Sequence, residues 1–187
     1  MKIIVFPYKQ ISNPLSPEDF YLKPDTVLAK PADDYYWPLT CAKLKYSLCY
    51  IIRIDRLGRA IKPVYASRYY KDVNAGININ GLKTLVDFKF WPAGTMLDYS
   101  LPMPRKFFLK EELTHLDLQI DERKIVTYQI PSEEEICYKI SLLSHFMYLK
   151  MGDMIILELH KPQPVKHGMH IQVIPHLDFY IKKHIGQ

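Results

Sequence analysis

Ser47 and Cys49 are two potentially reactive residues that stand two positions apart in an apolar run. In "KYSLCYII" they alternate with Tyr46, Leu48 and Tyr50, and this alternation predicts a β-strand with both residues on one face. A reactive thiol needs a positive, accessible setting and an oriented base, and neither is found nearby in the sequence. The pair is therefore either a nucleophile with its neighbour, two small packing residues, or what remains of another kind of site.

Three histidines, His160, His167 and His170, surround the loop "HKPQPVKHGMH" and invite comparison with a metal site. Zinc prefers tetrahedral nitrogen and sulfur ligands on rigid elements, with spacings such as H-x-x-x-H on a helix. Here the histidines lie in a proline-rich loop with no cysteine or carboxylate inside it. We therefore expect exposed loop histidines rather than metal ligands.

The composition favours a globular protein with one core. The 187 residues are 48% hydrophobic, which predicts a single domain over residues 1–187. The net charge of +5 comes from scattered basic residues without a nucleic-acid-binding motif, so we expect no nucleic-acid partner.

Cysteine usage and hydropathy bear on the compartment. Cys41, Cys49 and Cys137 are odd in number and form no C-x-x-C pair, which is typical of buried thiols in a reducing cytoplasm. No apolar run is long enough to span a membrane, and "MKIIVF" is expected to be the first strand rather than a signal segment. The sequence predicts a cytoplasmic protein without a membrane partner.

The first half of the chain is expected to hold the strands that position Ser47 and Cys49. We predict a hairpin from strands 45–55 and 59–62, with a tight turn at Leu57-Gly58. A short helix is expected over 66–73, then a strand in "GININ", and residues 83–104 are expected to form a loop crossing the surface.

The second half has clearer signals. "LDLQIDERKIVTYQI" alternates on both sides of Glu122-Arg123 and predicts a β-hairpin. Ser132 followed by three glutamates is a capping box, and the apolar spacing behind it predicts a helix from about 133 to 149. The expected fold class is mainly β with α (α+β), with this one substantial helix.

Several segments, taken in order, resemble the fumarylacetoacetate hydrolase superfamily, in its compact branch of acylpyruvate hydrolases and oxaloacetate decarboxylases. "FYLKPDTVL" is similar to the family's F-x-K-P-x-T segment, and "YSLCYIIRIDRLGRAI" to its E-x-E strand hairpin. "RYYKDVNAGININGL", "YSLPMPRKFFLKEEL" and "ISLLSHFMYLKMGDMIIL" resemble later blocks. The order and approximate spacing hold from about residue 19 to 181.

The resemblance implies a mixed β-roll or β-sandwich like the family's C-terminal domain, commonly dimeric. It also implies Mg²⁺ or Mn²⁺ held by two glutamates of the E-x-E strand and one aspartate of the next strand. Such an ion grips a keto acid or 1,3-dicarbonyl and stabilises the enolate formed as a C–C bond breaks. A lysine and a His/Glu pair on an N-terminal lid assist in those proteins.

This sequence departs from that pattern at every catalytic position. The E-x-E carboxylates fall on Ser47 and Cys49, the aspartate on Asn78, and the lysine on Thr95 or a neighbour. The lid segment "FPYKQISNPLSPED" has no histidine, and the substrate-binding T-G-T-P turn is replaced by "ELHKPQP". A hydroxyl, a thiol and an amide lack the charge that offsets dehydration of a divalent ion.

We therefore expect a non-catalytic member of the superfamily without the Mg²⁺ or Mn²⁺ cofactor. Its role would be binding or regulation, as a homodimer or as a subunit paired with an active paralogue. Ser47, Cys49, Asn78 and Thr95 would line a vestigial cleft able to take a small-molecule ligand. The alternative is a divergent hydrolase acting on acylpyruvates or keto acids with a rebuilt site, through Cys49 or the histidines of 160–170.

Overall fold

A computed structural model describes residues 1–9, 19–28, 34–84 and 91–183. Within them, the helices are α1 (Pro63–Ala66) and α2 (Glu133–Phe146). The strands are β1 (Ile3–Phe6), β2 (Tyr21–Lys23), β3 (Tyr35–Tyr36), β4 (Cys41–Ile54), β5 (Tyr70–Thr84), β6 (Phe108–Leu109), β7 (His115–Ile120), β8 (Val126–Gln129), β9 (Met154–Glu158), β10 (Gln163–Pro164), β11 (His170–Ile174) and β12 (Leu177–Lys182).

The first sheet is built on the two long strands β4 and β5. Its order is β2-β1-β9-β4-β5-β6, with β10 paired to the start of β4. All neighbours are antiparallel except β1 and β9. The second sheet has the order β3-β12-β11-β7-β8 and also contains one parallel pair, β12 with β3. Both sheets are therefore mixed.

One face of the first sheet contributes to the main core. Leu48, Tyr50 and Ile52 of β4 pack there in one apolar cluster with Ile140 of α2 and Ile171 of the second sheet. Burying such side chains supplies the main favourable free energy of folding. The helix therefore belongs to the stabilising layer of the fold.

The opposite face of the first sheet is also enclosed. Residues 99–102 run between β5 and the segment after β2: the amide of Ile79 donates to Ser100 O, and the amide of Leu101 donates to Val27 O. The two ends of the sheet are thereby joined, and the sheet curls around the side chains of this face. We call the enclosed space the sheet interior. Its apolar part contains Val5, Ile51 and Ile156.

Several sequence expectations are confirmed. The first strand, the strand in "GININ", the β7–β8 hairpin and the α+β class are all present. Ser132 caps α2, since its hydroxyl accepts from the amide of Glu135 at 3.2 Å. The helix ends at Phe146 rather than near 149, because Met147 is extended and Leu149 pairs with Gly58.

The predicted hairpin over 45–62 is wrong. β4 pairs instead with β5, which begins fifteen residues after Asp55. Residues 59–62 are not a strand: the amides of Ala60 and Ile61 bind Ser144 of α2. Gly58 exchanges backbone hydrogen bonds with Leu149 instead of forming a hairpin turn.

The predicted helix over 66–73 is also wrong. One turn of α-helix over Pro63–Ala66 continues as a 3₁₀ turn over Ser67–Tyr69, and β5 begins at Tyr70. Long-range pairing with β4 overrides the local helical pattern, as sheet context often does.

The predicted surface loop over 83–104 is wrong in its described part. Trp91–Thr95 form a 3₁₀ turn, while Ser100, Leu101 and Met103 are buried because they close the sheet. Residues 83–84 belong to β5, and 85–90 lie outside the described residues. Among the described helices, none has the length and apolarity needed to cross a membrane.

Candidate functional site

Ser47 and Cys49 lie on the face of β4 that points into the sheet interior, as their spacing predicts. Both are buried, with 1% and 0% of their surface exposed. Leu48 between them points to the main core. The Cys49 thiol donates to the carbonyl oxygen of Ser47 at 3.4 Å. The strand thus presents a hydroxyl and a thiol to the same enclosed space.

Asn78 joins this pair through the register of β5. It is the cross-strand partner of Ser47, and Gly76 is the partner of Cys49. Directly opposed residues on one face have Cβ atoms roughly 5 Å apart. Three of the four candidate residues therefore come together, as expected.

Thr95, the fourth candidate, lies on a different element. It ends the 3₁₀ turn Trp91–Thr95, which packs against β5 at a glycine pair. A Cβ on Gly94 would lie 2.1 Å from the carbonyl oxygen of Gly81, so this close approach requires glycine. Thr95 is buried near the β5 end that follows Asn78.

Glu158, which the sequence analysis did not select, supplies a carboxylate to the site. It is the last residue of β9 and the cross-strand partner of Cys49. Its Oε1 accepts from Asn78 Nδ2 at 2.7 Å, and its Oε2 accepts from the Tyr8 amide at 3.0 Å. Both oxygens are thus held by protein donors.

Tyr21 connects the asparagines from the opposite end of the sheet. Its hydroxyl oxygen accepts from Asn78 Nδ2 and from Asn80 Nδ2, each at 2.9 Å. β2 and β5 are separated by three strands in the sheet order, so this contact crosses the sheet interior. It exists because the sheet curls.

Lys23 also reaches across the interior. It is 3% exposed, and its Nζ donates to Ile79 O at 3.2 Å and to Ser100 Oγ at 3.1 Å. Burial lowers its pKa from 10.5 to about 7, although Cys49 and Glu158 oppose the shift. A shift of this size corresponds to about 5 kcal/mol against the ammonium form. Lys23 is therefore costly to keep at this position.

The neighbouring acids are held neutral. Burial, followed by the charge of Glu158, raises the pKa of the Cys49 thiol well above its usual value. The same two causes, in the same order, raise the pKa of the Tyr21 hydroxyl. Cys49 is therefore a thiol rather than a thiolate at neutral pH, which disfavours it as a nucleophile.

Three polar atoms in this region are buried without a hydrogen-bond partner among the described residues. They are Ser47 Oγ, Asn78 Oδ1 and Asn80 Oδ1. Buried polar atoms in proteins are normally paired, so each calls for an explanation. Their grouping beside Lys23 and Glu158 marks the polar part of the sheet interior as the candidate site.

Glu158 also lines a cleft on the surface beside α2. Its volume is about 480 Å³, and Tyr8, Ser132, Lys139 and Leu157 also line it. The cleft lies where β1 and β9 end, beside the start of α2. Glu158 lines this cleft, whereas Ser47, Asn78 and Lys23 do not.

The three histidines of 160–170 do not form a metal site together. His160 is half-buried rather than exposed, because its Nε2 accepts from the Leu48 amide at 3.0 Å. His167 packs against Trp37, and His170 stacks on Tyr180. The expectation of exposed loop residues is thus wrong for His160 and also for His170, which begins β11 and has a side chain only 16% exposed.

The donor set of the site is poor for a hard divalent cation. Within the described ranges, no group of three His, Cys, Asp or Glu side chains could hold a metal ion. The available groups are a hydroxyl, a neutral thiol, amide oxygens and one carboxylate already bound on both oxygens. Mg²⁺ and Mn²⁺ favour several anionic or carbonyl oxygens, so these residues do not fit them.

Solved structures share this architecture. Fumarylpyruvate hydrolase from Pseudomonas aeruginosa, in complex with Mn²⁺ and pyruvate, has a TM-score of 0.76 at 15% identity, covering 98% of this chain and 90% of that chain. Maleylpyruvate hydrolase from Sphingobium sp. SYK-6 has a TM-score of 0.77 at 16% identity, covering 98% and 71%. A protein from Yersinia pestis CO92, described as a fumarylacetoacetate hydrolase family protein, has a TM-score of 0.73 at 16% identity, covering 96% and 92%. The chain has the fumarylacetoacetate hydrolase fold.

The expected resemblance is confirmed at the level of this fold. No protein-family model matches the sequence, and no curated protein matches it. The likeness to these proteins is therefore one of fold, at 15% to 16% sequence identity.

Two charged residues of the site escaped the sequence analysis, although each left a signal. Lys23 lies in the "FYLKPDTVL" segment that supports the resemblance to the fumarylacetoacetate hydrolase family. Glu158 lies at the inward position of β9 after Met154 and Ile156, where alternation predicts an apolar residue. A charged residue in the buried register of a strand is a signal for a site.

Proposed function

We propose that this chain uses the fumarylacetoacetate hydrolase fold for binding rather than for metal-dependent cleavage of C–C bonds. One observation carries the proposal: both oxygens of Glu158, the carboxylate of the site, are already bound by Asn78 and by the Tyr8 amide. A metal ion there would have to displace these donors. It would then find neutral groups at Ser47 and Cys49.

The charge balance of the site supports the same proposal. Lys23 stands in the same interior as Glu158, and its ammonium form would repel a divalent cation. In this form, the positive charge of Lys23 and the negative charge of Glu158 already balance each other within the interior. An added ion would leave excess positive charge in a buried space, which is unfavourable.

The role that follows is binding of a small molecule in the sheet interior, in a sensor or in a subunit that pairs with an active paralogue. A homodimer is the other assembly we propose. Static light scattering of the purified protein, alone and with a candidate paralogue, would distinguish these assemblies by mass.

Isothermal titration with Mg²⁺, Mn²⁺ and oxalate tests the loss of metal chemistry. We expect no saturable metal binding and no Mn²⁺-dependent decarboxylation of oxaloacetate. Micromolar Mn²⁺ binding that disappears in Glu158→Gln and Asn78→Leu would overturn the proposal. His170→Gln serves as the control, since His170 packs on Tyr180 away from the site.

A divergent hydrolase acting on acylpyruvates or keto acids is the second candidate. One observation favours it: the site keeps an amine, a carboxylate and a phenol capable of proton transfer, at Lys23, Glu158 and Tyr21. The neutral state of Cys49 argues against its use as nucleophile. Turnover of acylpyruvates without added metal, lost in Glu158→Gln, would favour this candidate.

A further inference from the structure

Lys23 places an amine in the sheet interior where burial destabilises its charged form, and packing alone does not explain its presence there. Among the described residues, its Nζ donates to two neutral acceptors, Ile79 O and Ser100 Oγ, and to no carboxylate. Lys139, which is equally buried, instead pairs with Glu135 at 3.4 Å. A buried lysine without such a pair is usually kept for chemistry, because the neutral amine is a nucleophile.

The groups around Lys23 suit proton transfer. The charge of Glu158 acts on Lys23, and Glu158 is hydrogen-bonded to Asn78 at 2.7 Å. Tyr21 is bound to the same asparagine and keeps its proton at neutral pH. The carboxylate and the phenol are therefore joined through the Asn78 amide, and the Lys23 amine lies in the same interior.

Two further observations point to a ligand. Ser47 Oγ and Asn78 Oδ1 are polar atoms on side chains 1% exposed, and neither has a partner among the described residues. Both face the interior that Lys23 enters. Glu158 also lines the 480 Å³ cleft beside α2.

We propose that Lys23 forms an imine with a small ketone or aldehyde that enters through the cleft at Glu158. This inference rests on the proposed function, since it requires a metal-free interior that binds a small molecule. The carbonyl compound would place its polar atoms against Ser47 and Asn78. Lys23 would then supply the electrophilic activation that a metal ion supplies elsewhere.

The step balances without an oxidant or a reductant. The Nζ lone pair adds to the carbonyl carbon, and a proton passes from Nζ to the oxygen to give a carbinolamine. The C–O bond then breaks, a C=N bond forms, and the second Nζ proton leaves in the released water. Glu158 is the group suited to carry these protons.

Reductive trapping tests the proposal directly on the wild-type protein. The protein is incubated with pyruvate and sodium cyanoborohydride, digested, and mapped by mass spectrometry. With a pKa of about 7, half of Lys23 is neutral at that pH, a fraction more than about a thousandfold above that of an ordinary lysine. We expect adduct at Lys23 to exceed that at any surface lysine by at least about tenfold.

Variants separate this site from general lysine reactivity. Lys23→Met should abolish the adduct, Glu158→Gln should slow it, and Lys2→Met, a control outside the site whose amine pairs with Asp153, should leave it unchanged. An adduct absent from Lys23, or spread evenly over surface lysines, would overturn the inference. Titration with metal ions tests the proposed function separately, so a failure of the imine inference can be distinguished from a failure of the proposed function.

Discussion

The two faces of β4 differ in chemistry although each is buried. Towards the main core, Leu48 and its neighbours Tyr50 and Ile52 pack in an apolar cluster. Towards the sheet interior, Ser47 and Cys49 share a polar space with Asn78, Glu158 and Lys23, and Ser47 Oγ and Asn78 Oδ1 have no partner in the part of the chain that the structure describes. The apolar face therefore raises the free energy of unfolding, and the polar face lowers it by burying a lysine and unpaired polar atoms. Such a division is typical of functional sites, which keep groups that packing alone would replace.

The largest expected effect tests the stabilising face. Leu48→Ala removes a fully buried side chain from the main core and should lower the free energy of unfolding by about 3 kcal/mol. Ser47→Ala, its neighbour on the opposite face, should change it by less than about 1 kcal/mol, because it deletes an unpaired buried hydroxyl. Urea unfolding of the two variants measures both. Equal losses would show that the two faces contribute alike.

Lys23→Met tests the costly face and should act in the opposite direction. Removing a buried amine with a lowered pKa should raise the free energy of unfolding by about 2 kcal/mol at neutral pH. Above pH 7 the unfolded chain, with a lysine pKa of 10.5, holds the proton that the folded chain releases. The free energy of unfolding of the wild type should therefore increase relative to that of the variant as pH rises above 7.

Chemical unfolding at several pH values between neutral and mildly alkaline measures this difference. The Lys139→Met variant is the control, since Lys139 is paired with Glu135 and should cost stability when removed. A Lys23→Met protein that is less stable than wild type at neutral pH would contradict the assignment of Lys23 as a stability cost.

The smallest expected effect concerns His160, whose ring accepts a hydrogen bond from the backbone of β4 at Leu48. His160→Phe removes the acceptor of the Leu48 amide and should cost about 1 kcal/mol at neutral pH. Burial lowers the pKa of His160 from 6.5, so its contribution is complete above that value and is lost as pH falls below it. The stability gap between wild type and variant should therefore narrow on acidification.

Thermal unfolding of both proteins from neutral to mildly acidic pH provides this measurement. The comparison cancels the contribution of His176, whose pKa burial also lowers. A gap independent of pH would mean that the Leu48 amide does not depend on neutral His160.

Local patterns in the sequence predict the parts of the fold that local physics controls. Alternation placed Ser47 and Cys49 on one face, and the capping box placed the start of α2 at Ser132. Pairing between distant strands is not encoded in this way. The short segment after Ile54 suggested a hairpin, whereas β4 found its partner beyond a helical turn.

The site was predictable only in part for the same reason. The family resemblance placed Asn78 beside Ser47, and the register bears out that proximity. Lys23 and Tyr21 enter the site by crossing the interior of a curled sheet, from a strand that three others separate from β5. No spacing within the chain expresses such a contact, so it had to be seen in three dimensions.

The cross-strand pairing of Cys49 with Glu158 has a consequence for how this protein can evolve. A mutation that introduced a carboxylate at residue 49 would place it directly opposite Glu158 in a buried space, where two like charges destabilise each other. Glu158 would have to change first, and its loss would leave Asn78 and the Tyr8 amide without their acceptor. A pair of carboxylates at residues 49 and 158 is therefore not reached by a single tolerated substitution.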